Sequence, residues 1–199
     1  RSGNTGGGVF RPDIYAQRIR ASDGQLVGGN FAITTHASSS QSRPRVAYDA
    51  ASQRYLVVWQ DGRTGTWQIY GQRLDSNAAA VGGIFQINAS SNAQEFPDVA
   101  AGSGRFLVTW QELVSGNYEI YARRYNGLTG SGTRQTIASG AASQQHPRAA
   151  YNRDADSFLV GWDEGGNVWV RRTDNEGLPT AAALYLTNTA SVTEDFNSL

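Results

Sequence analysis

The feature that most constrains this chain is a motif of roughly fifty residues that recurs along it. An aromatic-Leu-Val-x-Trp run ends at Trp59, Trp110 and Trp162, which are 51 and 52 residues apart. A second run, of the form Ile-Tyr-x-x-Arg, occurs four times. Its copies occupy residues 14–18, 69–73, 120–124 and, more loosely, 168–172. The first copy therefore lacks the Trp-ended run, and the chain contains about three and a half repeats.

Each repeat is predicted to contain four short β-strands. Aromatic and β-branched residues form short runs bounded by Gly, Asn, Asp and Ser, and no segment has a competing helical period. The glycine-containing segments 61–62, 115–117 and 165–167 lie between the second and third strands, where positive φ angles are easily reached. We therefore expect them to be hairpin loops.

Repeated four-stranded units of this length favour a β-propeller, in which neighbouring blades bury both faces of each sheet. The run from Tyr55 to Trp59 is apolar without alternation, as expected for a strand buried on both faces. The predicted fold class is all-β, a β-propeller-like array of four-stranded antiparallel blades. A stacked β-solenoid or an open array of small sheets is the alternative.

The repeats divide a single domain into consecutive segments. Pro44, Pro97 and Pro147 recur with a similar period, and we expect each to mark the start of a first strand, where a missing N–H costs no ladder bond. The predicted segments are a partial repeat lacking its first two strands at 1–43, repeats at 44–96 and 97–146, and a repeat with the start of a next unit at 147–199.

Composition excludes several classes of function. The 17 basic residues are all arginine and balance 17 acids, so no patch typical of nucleic-acid binding is indicated. The absence of cysteine excludes disulfides and thiolate chemistry. No apolar run approaches the ~20 residues of a membrane helix, so membrane insertion is not expected. His36 and His146 lack neighbours at metal-ligand spacing, and no metal site is predicted from them.

The repeat also resembles a known one. Residues 44–75 contain Pro-x-Val-Ala, Leu-Val-x-Trp-x-Asp-x-Arg and Ile-Tyr-x-Gln-Arg-Leu-Asp in order, and later copies depart at Glu112, Arg123 and 168–173. This pattern resembles repeats of large secreted or surface proteins of bacteria, a largely uncharacterised family with no agreed ligand. The resemblance implies a propeller-like, exported, non-enzymatic module that is extracellular or on the cell surface.

An acid follows each repeated Trp by two residues, and the Ile-Tyr run ends in arginine. Adjacent strands of a hairpin would bring the two charges together, so we expect structural ion pairs that compensate buried charge. The alternative is one cation per blade, held by the acid and loop carbonyls; no cofactor is predicted, with calcium as this alternative. The predicted pairs are Asp61 with Arg73, Glu112 with Arg124, and Glu164 with Arg172.

Two aromatic residues are candidates for ligand contact. Trp67 and Tyr118 occupy equivalent positions just after the hairpin loops, where other repeats differ. Flat rings bind sugar faces, so both are candidates for shallow carbohydrate sites, and cross-strand packing at the sheet edge is the alternative. The polar residues predicted to accompany them are Arg63, Gln68, Asn117 and Glu119.

The sequence does not single out an enzyme. A propeller glycosidase would need two carboxylates converging in a cleft. The non-repeated acids that would supply them are Asp13, Glu95, Asp98, Glu194 and Asp195. Their spacing selects no pair, so we expect no enzymatic activity, with a glycoside hydrolase as the residual alternative.

The incomplete repeats favour a structural or adhesive function. The chain starts after the Trp run of one unit, and residues 196–199 align with residues 96–99, where another unit would begin. Exposed strand edges would be met by copies of the chain or by a complementary chain. We therefore expect a non-enzymatic extracellular structural or adhesive module, with a lectin-like carbohydrate-binding propeller, and hence glycan partners, as the alternative.

Overall fold

The computed structural model describes residues 11–127 and 132–186. Within these ranges the chain forms fourteen strands and no helix, so no described helix is long and apolar enough to cross a membrane. The strands are β1 (Ile14–Ile19), β2 (Leu26–Thr34), β3 (Gln41–Asp49), β4 (Arg54–Asp61), β5 (Gln68–Asp75), β6 (Ala80–Gln86), β7 (Gln94–Gly102), β8 (Arg105–Val114), β9 (Asn117–Asn126), β10 (Gln135–Ala138), β11 (Gln144–Asn152), β12 (Ser157–Glu164), β13 (Asn167–Thr173) and β14 (Leu184–Leu186).

The strands form four antiparallel sheets, which we call blades 1 to 4. Blade 1 consists of β1 and β2; blades 2, 3 and 4 are four-stranded meanders made of β3–β6, β7–β10 and β11–β14. The predicted strand order is thus confirmed in each complete repeat, and the fold is all-β and β-propeller-like. The Trp-ended run forms the second strand of its blade, and the Ile-Tyr run forms the third.

The blades pack side by side, and their first strands β3, β7 and β11 lie next to one another. Each blade therefore has a forward face, toward the next blade in sequence, and a backward face, toward the preceding one. Between blades 2 and 3, Leu56 and Ile69 on the forward face join a buried cluster with Phe106 and Trp110 on the backward face. Burial on both faces explains why the Trp-ended runs are apolar without alternation.

The position of the repeated prolines corrects one prediction. Pro44, Pro97 and Pro147 do not start the first strands, which begin three residues earlier at a buried glutamine. The ladder shifts register around each proline, so its nitrogen lies in a β-bulge and removes no ladder bond. The residue before each proline has a positive φ: 55° at Arg43, 51° at Phe96 and 54° at His146.

Candidate functional site

A contact between tryptophan and acid recurs in every complete blade. The indole N–H of the Trp-ended run donates to the carboxylate two residues further on, at the end of the second strand. The distances from Nε1 to the carboxylate oxygen are 3.0 Å for Trp59–Asp61, 3.1 Å for Trp110–Glu112 and 3.3 Å for Trp162–Glu164. We call this arrangement the Trp–acid clip.

The predicted ion pairs Asp61–Arg73, Glu112–Arg124 and Glu164–Arg172 are wrong. In blade 2, Asp61 lies opposite Gln68, whereas Arg73 lies opposite Leu56. Arg73 is five residues along the strand from Gln68, about 17 Å away at 3.4 Å per residue. The arginines have other partners: Arg73 lies 4.4 Å over the ring of Phe85, Arg124 binds Glu176 at 2.6 Å, and Arg172 donates to Thr180.

Two clips are completed by an arginine that the repeat alignment does not identify. Arg63 Nη2 lies 2.6 Å from Asp61 Oδ2, and Arg134 Nη1 lies 3.1 Å from Glu112 Oε1. Each guanidinium also covers an aromatic ring on the third strand, at 4.5 Å from the Tyr70 centroid for Arg63 and 4.2 Å from the Tyr121 centroid for Arg134. Arg63 follows its acid by two residues, whereas Arg134 immediately precedes β10.

The carboxylates of Asp61 and Glu112 are held as anions. Burial alone would raise the pKa of Asp61, but hydrogen bonds from Arg63 and Trp59 lower it below its usual value. Burial acts in the same way on Glu112, and donors that include Gln94 and Arg134 lower its pKa. Both carboxylates therefore accept hydrogen bonds from N–H and O–H donors of the chain itself, and they serve a structural role. Calcium binding at these acids stays a prediction.

The two aromatic ligand candidates lie at boundaries between blades. The Trp67 carbonyl accepts a hydrogen bond of 2.8 Å from the Gln94 amide of the next blade. The Tyr118 amide donates to Ser143 Oγ at 3.2 Å, and its hydroxyl donates to Glu95 at 3.2 Å. Both side chains are half-buried, so they contribute to blade packing.

The four polar candidates are also engaged internally. Gln68 is buried and donates to the Asn92 carbonyl, and Arg63 is held in the clip of blade 2. Asn117 donates to the Ala141 carbonyl, and Glu119 accepts a hydrogen bond of 2.5 Å from Tyr121. A sugar would have to displace these contacts. Carbohydrate binding by the six residues stays a prediction.

The acids considered for hydrolysis serve separate contacts. Asp98 pairs with Arg45 at 3.6 Å and accepts the Ala149 amide, whereas Glu95 accepts the Tyr118 hydroxyl. The carboxylate of Asp13 accepts the amide of His36 at 3.1 Å. Glu194 and Asp195 lie outside the described residues. No group of three or more metal-ligating side chains occurs in residues 11–127 and 132–186.

A stack of side chains on the first strands was missed by the sequence reasoning. The Arg43 guanidinium lies 3.7 Å over the Phe96 ring, and that ring meets His146 edge-on at 4.5 Å. His146 Nδ1 lies 3.0 Å from Asp163 Oδ2. These residues differ in type, so no repeated residue indicated the stack. The sequence signal that could have found it is that three of them directly precede the repeated prolines.

The forward face of blade 4 is open. In blades 2 and 3 the apolar residues of the forward face are fully buried, with 0% exposure at Leu56, Ile69, Ile87, Leu107, Ile120 and Ile137. In blade 4 the matching positions in the strand register are 39% exposed at Leu159, 47% at Val168 and 37% at Leu186. Since no described residue covers this face, three side chains of interface type contact solvent.

Blade 1 is open on its backward face and along one edge. Tyr15 is 56% exposed, although its equivalents Tyr70 and Tyr121 are each covered by an arginine. Among the described residues β1 pairs only with β2, and a groove of about 730 Å³ follows its other edge. Blade 2 contributes Val46 to this groove, with 61% exposure against 8% for the equivalent Val99.

Comparisons with known proteins support the fold alone. No family model matches the chain, and no curated protein matches it. A thermostable family-43 glycoside hydrolase is similar in structure with a TM-score of 0.52 and 14% identity, over 77% of this chain and 62% of that protein. The endo-arabinase of Bacteroides thetaiotaomicron gives 0.47 and 11%, over 81% and 62% of the two chains.

TolB of Acinetobacter baumannii gives a TM-score of 0.47 with 20% identity, over 83% of this chain and 36% of that one. The chain thus spans less than two thirds of each of these proteins. At 14% identity, the similarity to the family-43 glycoside hydrolase supports a β-propeller-like fold and transfers no activity.

Proposed function

We propose that the protein is a non-enzymatic structural or adhesive repeat module that assembles head to tail. The observation that carries this proposal is the exposed forward face of blade 4, which repeats the residues that blades 2 and 3 bury against a neighbour. An extracellular or cell-surface location is part of the proposal, and the resemblance of the repeat to exported bacterial proteins supports it.

The occupant of this face is the blade 1 of a second copy. Inside the molecule, a forward face of Leu and Ile packs on a backward face of Trp and Tyr. Blade 1 presents Tyr15 and Ile19 on its backward face, and both are exposed. A contact between different faces of two identical chains is heterologous and propagates into a ring or a filament.

The internal hydrogen bonding of the acids that recur in the repeats also supports a structural role. Asp61 and Glu112 are saturated by donors of their own blades. The acids Asp13, Glu95 and Asp98 each serve a different contact. Turnover of a glycan by the purified chain would contradict this part of the proposal.

Light scattering across a dilution series tests the assembly. The wild-type chain should form particles several times its 21.4 kDa mass, and Leu159→Asp should shift them toward the monomer, because a charge is desolvated at the interface. Leu178→Asp is the matched control, since Leu178 is comparably exposed but lies in a loop. A monomeric wild type, or an unaffected Leu159→Asp variant, would overturn the proposal.

A further inference from the structure

Within residues 11–127 and 132–186, no strand pairs with the Ile-Tyr run of blade 1 in the way that the Trp-ended strand does in each complete blade. In blades 2, 3 and 4 the tryptophan of the second strand lies opposite one fixed position of the third strand, as in Trp59↔Tyr70, Trp110↔Tyr121 and Trp162↔Trp169. The corresponding residue of β1 is Tyr15. Among the described residues, β1 has an open edge at this position.

We propose that this edge binds an extended segment of the pattern aromatic-Leu-Val-x-Trp-x-Asp-x-Arg, with its Trp opposite Tyr15. Main-chain hydrogen bonds to a free strand edge supply affinity, and side-chain pockets supply specificity. The groove beside β1 supplies such a pocket, lined by Val46, Tyr55 and Val57 of blade 2.

The groove matches the side chains that would enter it. In the complete blades, the Leu of the second strand points forward into the next blade, as Leu56 does beside Val99 and Phe106. In a segment added to β1, this Leu would point at Val46 and Tyr55, the equivalents in blade 2 of Val99 and Phe106. Val46 would then become buried as Val99 is.

The arginine of the pattern follows from the two ways in which clips are completed. In blade 3 the arginine is Arg134, which directly precedes Gln135 on the strand that pairs with the third strand. The position two residues after the acid of blade 3 is Val114. Blade 2 has Ile84 at the position of Arg134 and takes Arg63 from two residues after its acid. Blades 2 and 3, which have a tyrosine opposite the tryptophan, thus each supply one arginine, by one route or the other. The clip of blade 4, where Trp169 takes the place of this tyrosine, pairs with no arginine among the described residues.

Blade 1 has Asn30 at the position of Arg134, because Phe31 lies opposite Ala16 as Gln135 lies opposite Ala122. It therefore has no arginine at the position that supplies Arg134 in blade 3. An arginine carried by the added segment two residues after its acid, in the manner of Asp61 and Arg63, would complete the clip and cover the exposed ring of Tyr15.

A labelled peptide with the sequence of residues 55–64 tests the inference. It is added to the Leu159→Asp variant, so that stacking of copies cannot occupy blade 1 and failure of the proposed assembly does not affect the result. Fluorescence anisotropy should show saturable binding, and hydrogen exchange should show new protection of the amides of β1. Absence of binding, or protection only in other strands, would overturn the inference.

A double-mutant cycle tests the arginine. A peptide with Arg63→Ala should bind roughly tenfold more weakly, since a guanidinium contact to a ring and a carboxylate is lost. Tyr15→Ala in the protein should weaken the native peptide and remove most of the difference between the two peptides. Tyr185→Ala, a comparably exposed tyrosine on blade 4, should change neither affinity. Equal binding of the two peptides to the protein that retains Tyr15 would contradict the assigned register.

Discussion

The interface between blades 3 and 4 and the forward face of blade 4 are built from the same sequence positions. Leu107, Ile120 and Ile137 are buried in the interface, whereas their counterparts on blade 4 contact solvent. The repeat therefore encodes half of an interface in addition to a blade. Whether a given apolar residue stabilises the fold depends on whether a neighbouring blade covers it, because apolar burial is what stabilises the contact.

The boundary between blades 1 and 2 shows the intermediate case. Its buried cluster contains Ile14 and Ile33 of blade 1 with Trp59 and Leu74 of blade 2. The inner part of the same face, at Val46, is exposed because blade 1 has no described strands there. A half-blade thus covers only the outer half of its neighbour.

The largest expected effect comes from truncating the same leucine in two blades. Leu107→Ala should lower the free energy of unfolding by about 2–5 kcal/mol, because it leaves a cavity between packed blades. Leu159→Ala should lower it by less than about 1 kcal/mol, since its side chain is already partly in water. Urea unfolding of the two variants measures both values, at a protein concentration low enough to keep the chain monomeric. Equal losses in the monomer would contradict the open forward face of blade 4.

The first strands give a second matched pair. Val99→Asn should destabilise the chain by about 1–3 kcal/mol, because the amide of the asparagine would be buried without a hydrogen-bond partner. Val46→Asn at the equivalent position of blade 2 should stay within about 0.5 kcal/mol. Thermal unfolding at one protein concentration compares them. A large loss at Val46 would mean that the groove beside β1 is already filled.

The clips predict a smaller, pH-dependent effect. The pKa of Glu112 is lowered in the folded chain, so its ionised form stabilises the fold above the unfolded pKa of about 4.3. This contribution is lost as the pH falls through the lower folded value. Glu112→Gln should therefore destabilise the chain by about 1–2 kcal/mol at pH 7, with the difference from wild type shrinking below pH 4.

Glu164→Gln is the control for the clip, since Glu164 is half-buried and pairs with no arginine among the described residues. Its effect at pH 7 should be smaller than that of Glu112→Gln. Unfolding curves collected from pH 3 to pH 7, a range that spans about one unit below the unfolded pKa, measure both. A difference for Glu112→Gln that persists unchanged at the acid end would contradict the assigned charge state.

The sequence predicted the blades because each strand type carries its own residue pattern. The Trp-ended and Ile-Tyr runs became second and third strands, and the glycine-rich segments between them became hairpin loops. The prediction of ion pairs was wrong because the distance between two residues of a hairpin depends on the strand register. Asp61 lies at the end of its strand next to the loop, whereas Arg73 lies near the opposite end of the following strand.

Other features of the site were outside the reach of the repeat pattern. Arg63 and Arg134 complete equivalent clips from different segments of their blades, so an alignment of repeats does not match them. The stack of Arg43, Phe96 and His146 uses three different residue types at one position. Exposure of the faces depends on missing neighbours, which no local pattern encodes.

The absence of cysteine allows a direct test of head-to-tail assembly. Val168→Cys places a thiol on the forward face of blade 4, and Ile19→Cys places one on the backward face of blade 1. A short bismaleimide should link a mixture of the two single variants into a dimer, whereas neither variant alone should be linked. No dimer in the mixture would contradict head-to-tail packing, and linkage of either variant to itself would indicate a two-fold interface instead.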